Sequence, residues 1–170
     1  DIVLNNLVAW GMTKGVILLK SDGTPIRPIV HIEDISRAFI AALEAPADLV
    51  RGEAFNVGQT AHNYTVRQIA EIVRDIVPNT TIELTSEAGP DPRSYRVSFE
   101  KIKNTLPGFQ PQWDAVKGAE QLYAAYKKSG VTVEEFEGTR YNRIAHIKKL
   151  LADDMLTNEL RPTADAVAAE

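Results

Sequence analysis

The segment RPIVHIEDISRAF, residues 27–39, places an arginine, a histidine and two acidic residues directly before an apolar run with helical spacing. It fits two interpretations: a catalytic cluster, or a strand followed by a capped helix with one binding residue, Arg27, at its head. Asp34 belongs to a residue type that caps helix N-termini, because its carboxylate accepts hydrogen bonds from the free N–H groups of the first turn. We therefore predict a strand over residues 27–31 and a helix that begins at Asp34 and ends before Pro46.

Short strands and helices alternate along most of the chain. Apolar or β-branched runs predict further strands at residues 16–20, 54–58 and 80–85. Amphipathic periodicity predicts further helices at residues 2–14, 65–77, 99–106 and 114–128. Thr65 and Gln68 have the spacing of a capping box, and the Asp-Gly turn after residue 21 predicts that the strands on either side form a hairpin-like or closely connected pair. The alternation indicates an α/β fold made mostly of helices with a few short strands.

Composition divides the chain into three parts. Residues 1–130 carry the alternating elements, residues 131–162 are charged and predict a helical C-terminal extension, and residues 163–170 predict a flexible tail. A few strands of about five residues do not make a self-contained doubly wound sheet, which favours a partial domain. Because a helical pattern begins at once at Asp1, we expect this residue to lie inside a longer protein, with a processed mature form as the alternative.

The overall composition excludes several classes of protein. The chain has 170 residues, of which 44% are hydrophobic and 25% charged, and its formal net charge is −4. An acidic balance argues against a nucleic-acid-binding domain, and no apolar run is long enough to predict a membrane span. Cysteine is absent, which excludes disulfides and is compatible with a cytoplasmic protein. His31, His62 and His146 lack the spacing of metal ligands, so we expect no metal site.

Seven motifs occur in one order within residues 1–130. They are an Asn-Leu pair in the first helix, the turn LLKSDGTPIR (18–27), the segment at 27–39, FNVG (55–58), the Thr-capped helix at 65, DPRSYRVSFEKI (91–102) and GFQP (108–111). Each motif is weak alone, but the ordered set resembles the extended short-chain dehydrogenase/reductase family, the NAD(P)-dependent sugar-nucleotide epimerases and dehydratases. The resemblance implies that the chain is the C-terminal, substrate-binding portion of a Rossmann-type enzyme.

The resemblance also implies a set of substrate-binding residues. Arg27 lies where the family places an arginine on the pyrophosphate of the substrate, and a planar guanidinium fork suits phosphate oxygens. Asn6 matches a family asparagine that meets the nucleotide diphosphate, and Asn5 is the match if the register differs by one. Arg93 is the candidate for a second phosphate-binding arginine. Many relatives carry that arginine earlier in the loop, so Arg96 is an alternative and a structural ion pair is another role for Arg93.

The other polar residues of these motifs are expected to be structural. His31 should hydrogen-bond locally where the strand meets the helix, Asp34 should cap the helix, and Asn56 should satisfy backbone groups. The family's catalytic tyrosine and lysine lie four residues apart on a helix much earlier in the chain, whereas Tyr95 and Lys101 are six apart. No glycine-rich dinucleotide turn is visible. We therefore expect no catalytic residue among these 170.

Three functions remain open from the sequence. The first is part of an NAD(P)-dependent nucleoside-diphosphate-sugar epimerase or dehydratase, an oxidoreductase, isomerase or lyase that forms a homo-oligomer and whose NAD(P)-binding domain lies upstream of Asp1. The second is a non-catalytic binding or interaction module of the same fold. The third is a reductase of the same family that acts on a carbonyl substrate other than a sugar.

Overall fold

The computed structural model describes residues 3–89 and 93–163. Its helices are α1 (Val3–Lys14), α2 (Ile32–Glu44), α3 (Ala47–Val50), α4 (Val66–Ile76), α5 (Glu100–Thr105), α6 (Ala115–Ser129), α7 (Val133–Glu137) and α8 (Arg143–Ala152). Its strands are β1 (Val16–Ser21), β2 (Ile26–Pro28), β3 (Asn63–Thr65) and β4 (Thr81–Gly89). The prediction of a mixed α/β fold with many helices and few short strands is confirmed.

The four strands form two separate pairs. β1 and β4 are parallel, with Val16 opposite Thr81, and β2 and β3 are antiparallel, with Arg27 opposite Tyr64. β1 and β2 are closely connected along the chain, as one of the two predicted alternatives has it, but they do not form the hairpin-like pair. The turn between these strands is bound to the start of α4 instead, because the carbonyl of Gly23 accepts a hydrogen bond from the backbone N–H of Arg67 at 3.0 Å. This contact directs the chain away from β1 and towards β3.

Two predicted strands differ from the structure. The strand expected at 27–31 spans Ile26–Pro28, and the backbone N–H of Ile29 donates to His62 at 3.0 Å, outside the ladder. The strand predicted at residues 54–58 is wrong, because no described strand pairs with this segment. Its side chains still alternate in exposure, with Phe55 and Val57 half-buried and Asn56 exposed. The segment therefore has the side-chain pattern of a strand without a hydrogen-bonded neighbour.

The sequence predicted the N-terminal cap of α4 correctly and that of α2 incorrectly. The capping box of α4 is confirmed, since Thr65 Oγ1 accepts from the N–H of Gln68 and the side chain of Gln68 accepts from the N–H of Thr65. The N-cap of α2 is His31 rather than Asp34, and its Nδ1 accepts from the N–H of Glu33 at 3.1 Å. The prediction for Asp34 was wrong because its carboxylate is bound by a distant segment of the chain.

Two apolar clusters hold the first part of the chain together. One lies between α1, β1 and α4 and includes the fully buried side chains of Val8, Ile17, Ile69 and Val73. The other lies between α2 and α5 and includes Ala38, Ala41, Phe99 and Ile102. Because α2 contributes small residues to its cluster, the backbone of α2 can approach α5 closely.

The chain divides into two compact units, residues 1–128 and 129–170. In the second unit, α7 begins with a capping box of Thr132 and Glu135, and α8 begins at Asn142, whose side chain accepts from the N–H of Ala145 at 3.1 Å. The predicted flexible tail lies outside the described residues apart from Thr163. None of the helices in the described part of the chain has the length and apolar character that crossing a membrane requires.

Gly58 should tolerate no larger residue. Its φ is +153°, and a Cβ there would lie 2.8 Å from Cε1 of the buried Phe99 ring. We expect Gly58→Ala to lower the free energy of unfolding by about 2–4 kcal/mol, because overpacking adds to backbone strain. Urea denaturation checks this.

Gly52→Ala is the matched control, since Gly52 also has a positive φ, +75°, but nothing lies within 4 Å of its Cβ position. It should cost about 1 kcal/mol, the strain alone. Equal losses for the two variants would contradict the packing argument.

Candidate functional site

Arg27 is fixed on β2 by contacts with a distant loop. Its guanidinium Nη1 donates to the carbonyl of Ile26 at 2.8 Å and to the carbonyl of Arg93, and it lies 5.8 Å from the centre of the Tyr95 ring. The hydroxyl of Ser94 accepts from the backbone N–H of Ile26 at 3.0 Å. The structure therefore brings the guanidinium of Arg27 to the backbone of Arg93, which lies 66 positions away in the sequence. We refer to these two residues as the arginine pair.

The strand pair β2–β3 holds the residues after Arg93 in place. Asn63 on β3 is buried, and its side chain accepts from the N–H of Val97 and donates to the carbonyl of Val97, both at 2.9 Å. This two-sided contact fixes the backbone just beyond Tyr95 and Arg96, whose side chains are exposed. The arginine pair thus rests on an anchored backbone.

The arginine pair has the chemistry of an oxyanion-binding surface. Guanidinium groups are permanently charged and offer planar sets of N–H donors that match phosphate or carboxylate oxygens. Arg27 is half-buried and Arg93 is exposed, so both lie within reach of solvent. Burial raises the pKa of Tyr64, which lies opposite Arg27 in the β2–β3 pair.

A pocket of about 450 Å³ lies in the first unit, between the start of α1, the β2–α2 connection and α6, and Pro28, the residue after Arg27, is part of its lining. Its walls are largely apolar, with polar groups from a few side chains, and its size is typical of small-molecule sites. The residues that line it include Leu4, Asn5, Ile29, Val30, His31, Ile35, Trp113, Asp114, Gln121 and Leu122.

His31 forms one wall of this pocket and is held in a single tautomer. Because Nδ1 accepts from the N–H of Glu33, Nε2 carries the proton and donates to Oε1 of Gln121 at 2.7 Å. The ring also stacks on Trp113, with ring centres 3.8 Å apart and planes 9° apart. Both nitrogens are therefore used to position the helix and the wall, which confirms the prediction that His31 hydrogen-bonds locally.

Asp34 stabilises the pocket wall that contains Trp113 by binding the backbone of that segment. Its carboxylate is 2% exposed and accepts from the backbone N–H groups of Gln112 at 2.9 Å and Trp113 at 3.0 Å. It also accepts from Nη1 of Arg37 at 3.0 Å. The acid that the sequence suggested as a cap therefore fastens the segment before α6 to the start of α2.

The four predicted substrate-binding residues occupy two places in the fold. Asn5 lines the pocket, whereas Asn6, Arg27 and Arg93 are not among the described residues that do so. Asn6 is half-buried on α1. The substrate-binding roles of all four residues stay predictions.

Trp113 and Gln121 are wall residues that the sequence reasoning missed. The segment between GFQP and α6 gave a signal for Trp113, since an aromatic residue stands directly before the helix-capping Asp114, which accepts from the N–H of Lys117 at 2.8 Å. No sequence signal pointed to Gln121, because its partner His31 lies 90 positions away.

Two tyrosine–lysine combinations can be compared with the family's catalytic pair. Lys101 is bound to Glu53 at 2.6 Å and lowers the pKa of Glu53, and its ammonium lies 5.0 Å from the centre of the Phe55 ring. Tyr123 and Lys127 do have the four-residue spacing, which the sequence reasoning overlooked. They lie on α6, with the ammonium 6.0 Å from the ring centre. Their position late in the chain differs from the family's order, and neither is among the pocket-lining residues described.

Metal ligands do not cluster in the described residues. Over residues 3–89 and 93–163 no group of three or more His, Asp or Glu side chains is placed to hold a metal ion.

Comparisons with known proteins agree with this fold. The model of the NAD dependent epimerase/dehydratase family matches residues 2–58. UDP-glucuronic acid decarboxylase 1 of Arabidopsis thaliana is 24% identical over 137 residues, which are 80% of this chain and 30% of that protein. UDP-glucose 4-epimerase of Corynebacterium glutamicum is 32% identical over 92 residues, which are 54% of this chain and 27% of that protein.

Solved structures share the fold. UDP-glucuronic acid 4-epimerase from Bacillus cereus, in complex with UDP-glucuronic acid and NAD, superposes with a TM-score of 0.62 and 21% identity, over 76% of this chain and 40% of that one. A partial consensus L-threonine 3-dehydrogenase superposes with a TM-score of 0.57 and 21% identity, over 74% and 42%.

The family match over residues 2–58, the related epimerases and the shared fold support the resemblance to the NAD-dependent epimerases/dehydratases of the extended short-chain dehydrogenase/reductase family. The resemblance inferred from the ordered motifs is confirmed. The chain spans less than a third of the length of the Arabidopsis decarboxylase and less than a third of the length of the Corynebacterium epimerase.

The contacts of Asp34 predict a large effect of its removal. We expect Asp34→Ala to lower the free energy of unfolding by about 2–4 kcal/mol, because it leaves the backbone N–H groups of Gln112 and Trp113 without their charged acceptor. Chemical denaturation followed by tryptophan fluorescence measures this loss.

Asp48→Ala, at an exposed position in α3, is the control and should change stability by less than about 0.5 kcal/mol. A loss at Asp34 no larger than the control would show that the buried carboxylate does not hold the two segments together.

Proposed function

We propose that the chain is the substrate-binding part of an NAD(P)-dependent enzyme that modifies a nucleoside-diphosphate sugar. In this proposal the arginine pair binds the diphosphate, and Asn5 or Asn6 adds a neutral hydrogen-bonding group. The observation that supports it is the hydrogen bond from the Arg27 guanidinium to the backbone carbonyl of Arg93, which brings these two residues next to each other.

Diphosphate binding by this part of the enzyme would serve catalysis indirectly. A diphosphate is remote from the reacting sugar carbon, and holding it fixes that carbon relative to a hydride acceptor. NAD or NADP would be bound by residues outside these 170, which fits the absence of a glycine-rich dinucleotide turn from the sequence. The proton-transfer residues would belong to the same outside part.

Support for a sugar-nucleotide substrate comes from the relatives. Curated proteins that match this chain include one named as a UDP-glucuronic acid decarboxylase and others named as UDP-glucose 4-epimerases. A second candidate, a substrate without a nucleotide, is favoured by the likeness to L-threonine 3-dehydrogenase structures. The two candidates differ in whether a diphosphate group contributes to affinity.

The test is calorimetric titration of the 170-residue chain with UDP-glucose and UDP-glucuronic acid. We expect binding, and we expect Arg27→Ala to raise the dissociation constant by about 10- to 100-fold, because one hydrogen-bonded charge contributes roughly 1.5–3 kcal/mol. Arg93→Ala should act in the same direction.

Arg74→Ala is the matched control, since Arg74 is exposed on α4 and pairs with its neighbour Asp75. It should leave the dissociation constant unchanged. The same titration is made with L-threonine. Binding of L-threonine but of neither UDP-sugar, with a dissociation constant for L-threonine that Arg27→Ala leaves unchanged, would favour the second candidate. No binding of either ligand by the folded chain would contradict both.

A further inference from the structure

Residues 94–97 form a short segment that side chains attach to the β2–β3 pair. In the described part of the chain this segment belongs to no strand. At its start, the hydroxyl of Ser94 accepts from the backbone N–H of Ile26 at 3.0 Å, and at its end Val97 is bound by Asn63. Ile26 lies on β2 and Asn63 on β3, so one small sheet holds both ends of the segment.

Asn63 connects this segment to the sheet through both ends of its side-chain amide. Asn63 is 8% exposed, and the amide forms three hydrogen bonds of 2.9 Å. Oδ1 accepts from the backbone N–H of Val97, and Nδ2 donates to the carbonyls of Val97 and Thr60. Because these polar atoms are out of contact with water, losing their partner would leave backbone groups of both segments without a hydrogen bond.

Thr60 reinforces the same connection from the 3₁₀ turn that precedes β3. Its hydroxyl accepts from the backbone N–H of Phe99 at 3.1 Å and donates to Oε1 of Glu100 at 2.7 Å. Phe99 is buried and leads directly into α5. The chain that follows Val97 is therefore held by this turn as well.

The side chains next to this segment are those of the arginine pair and Tyr95. Arg93 stands directly before the segment, and its carbonyl accepts from Nη1 of Arg27. Tyr95 is 55% exposed, and its ring centre lies 5.8 Å from the guanidinium of Arg27. The backbone that presents Arg93 is therefore fixed by residues that lie outside the arginine pair. Groups that are fixed before a ligand arrives lose less conformational freedom when they bind it.

We propose that Asn63 is a positioning residue for diphosphate binding, which acts through the Val97 backbone on Arg93. The inference rests on the proposed function, because it gives Asn63 a part in the same site. Asn63 contacts no ligand itself in this proposal. Its effect reaches the ligand through a phosphate-binding side chain, so the effect should be equally large for UDP-glucose and for inorganic pyrophosphate.

The test is calorimetric titration of the 170-residue chain and its variants with UDP-glucose and with inorganic pyrophosphate. We expect Asn63→Ala to raise both dissociation constants by about 3- to 10-fold, the effect of a charged side chain that must become ordered on binding. In an Arg93→Ala background the same change should raise them by less than about twofold. This double-mutant cycle distinguishes action through Arg93 from a general loss of structure.

Thr80→Val is the matched control for the loss of a buried hydrogen bond. Thr80 is also 8% exposed, and its hydroxyl donates to the backbone carbonyl of Gly11 on α1 at 3.3 Å. Thr80→Val and Asn63→Ala should both lower the midpoint of urea denaturation. Only Asn63→Ala should change the two dissociation constants.

A second variant carries the test if Asn63→Ala does not unfold cooperatively. Thr60 is exposed and valine has nearly its shape, so Thr60→Val should fold and should raise both dissociation constants about two- to threefold when Arg93 is present. Its effect should disappear in the Arg93→Ala background.

The outcomes separate this inference from the proposed function. An effect of Asn63→Ala that is as large without Arg93 as with it, that is no larger than that of Thr80→Val, or that is confined to UDP-glucose overturns the positioning role. If Arg27→Ala and Arg93→Ala still weaken UDP-glucose in that case, the proposed function stands. A folded chain that binds neither UDP-glucose nor pyrophosphate overturns both.

Discussion

The buried carboxylate of Asp34 is the interaction on which the arrangement of the first unit depends. It joins the first turn of α2 to the backbone of Gln112 and Trp113, which lead into α6. With this connection in place, Trp113 stacks on His31 and Gln121 meets the same imidazole. One charged group out of contact with water thereby determines how two helices far apart in sequence approach each other.

The parts of the fold that were predictable from the sequence are those governed by neighbours along the chain. The capping box at Thr65 and the helix that follows it depend on residues three or four positions apart, so their pattern was sufficient. The strand pairs were not predictable in this way. Whether Val16 meets a hairpin neighbour or Thr81 depends on how α1 and α4 pack, which no local pattern encodes.

The candidate site shows the same contrast between features set by neighbours along the chain and features set by distant contacts. Arg27 was singled out by its place in an ordered set of motifs, but its contact with the Arg93 carbonyl joins residues from different parts of the chain. His31 and Asp34 attracted attention as acid–base residues, yet their polar atoms are used in holding backbone and side-chain groups. Polar residues next to this strand–helix junction therefore hold the fold together.

The pairing of β1 with β4 has a consequence for how the first unit folds. Val16 meets Thr81 only after the intervening chain, including β2, α2, β3 and α4, has been brought into a closed loop. Closing a long loop costs entropy before its contacts form, and contacts distant in sequence slow folding. Cutting the chain anywhere between these two strands would place β1 and β4 on different fragments. The first unit should therefore fold in a single cooperative transition, and shorter fragments of it should not fold independently.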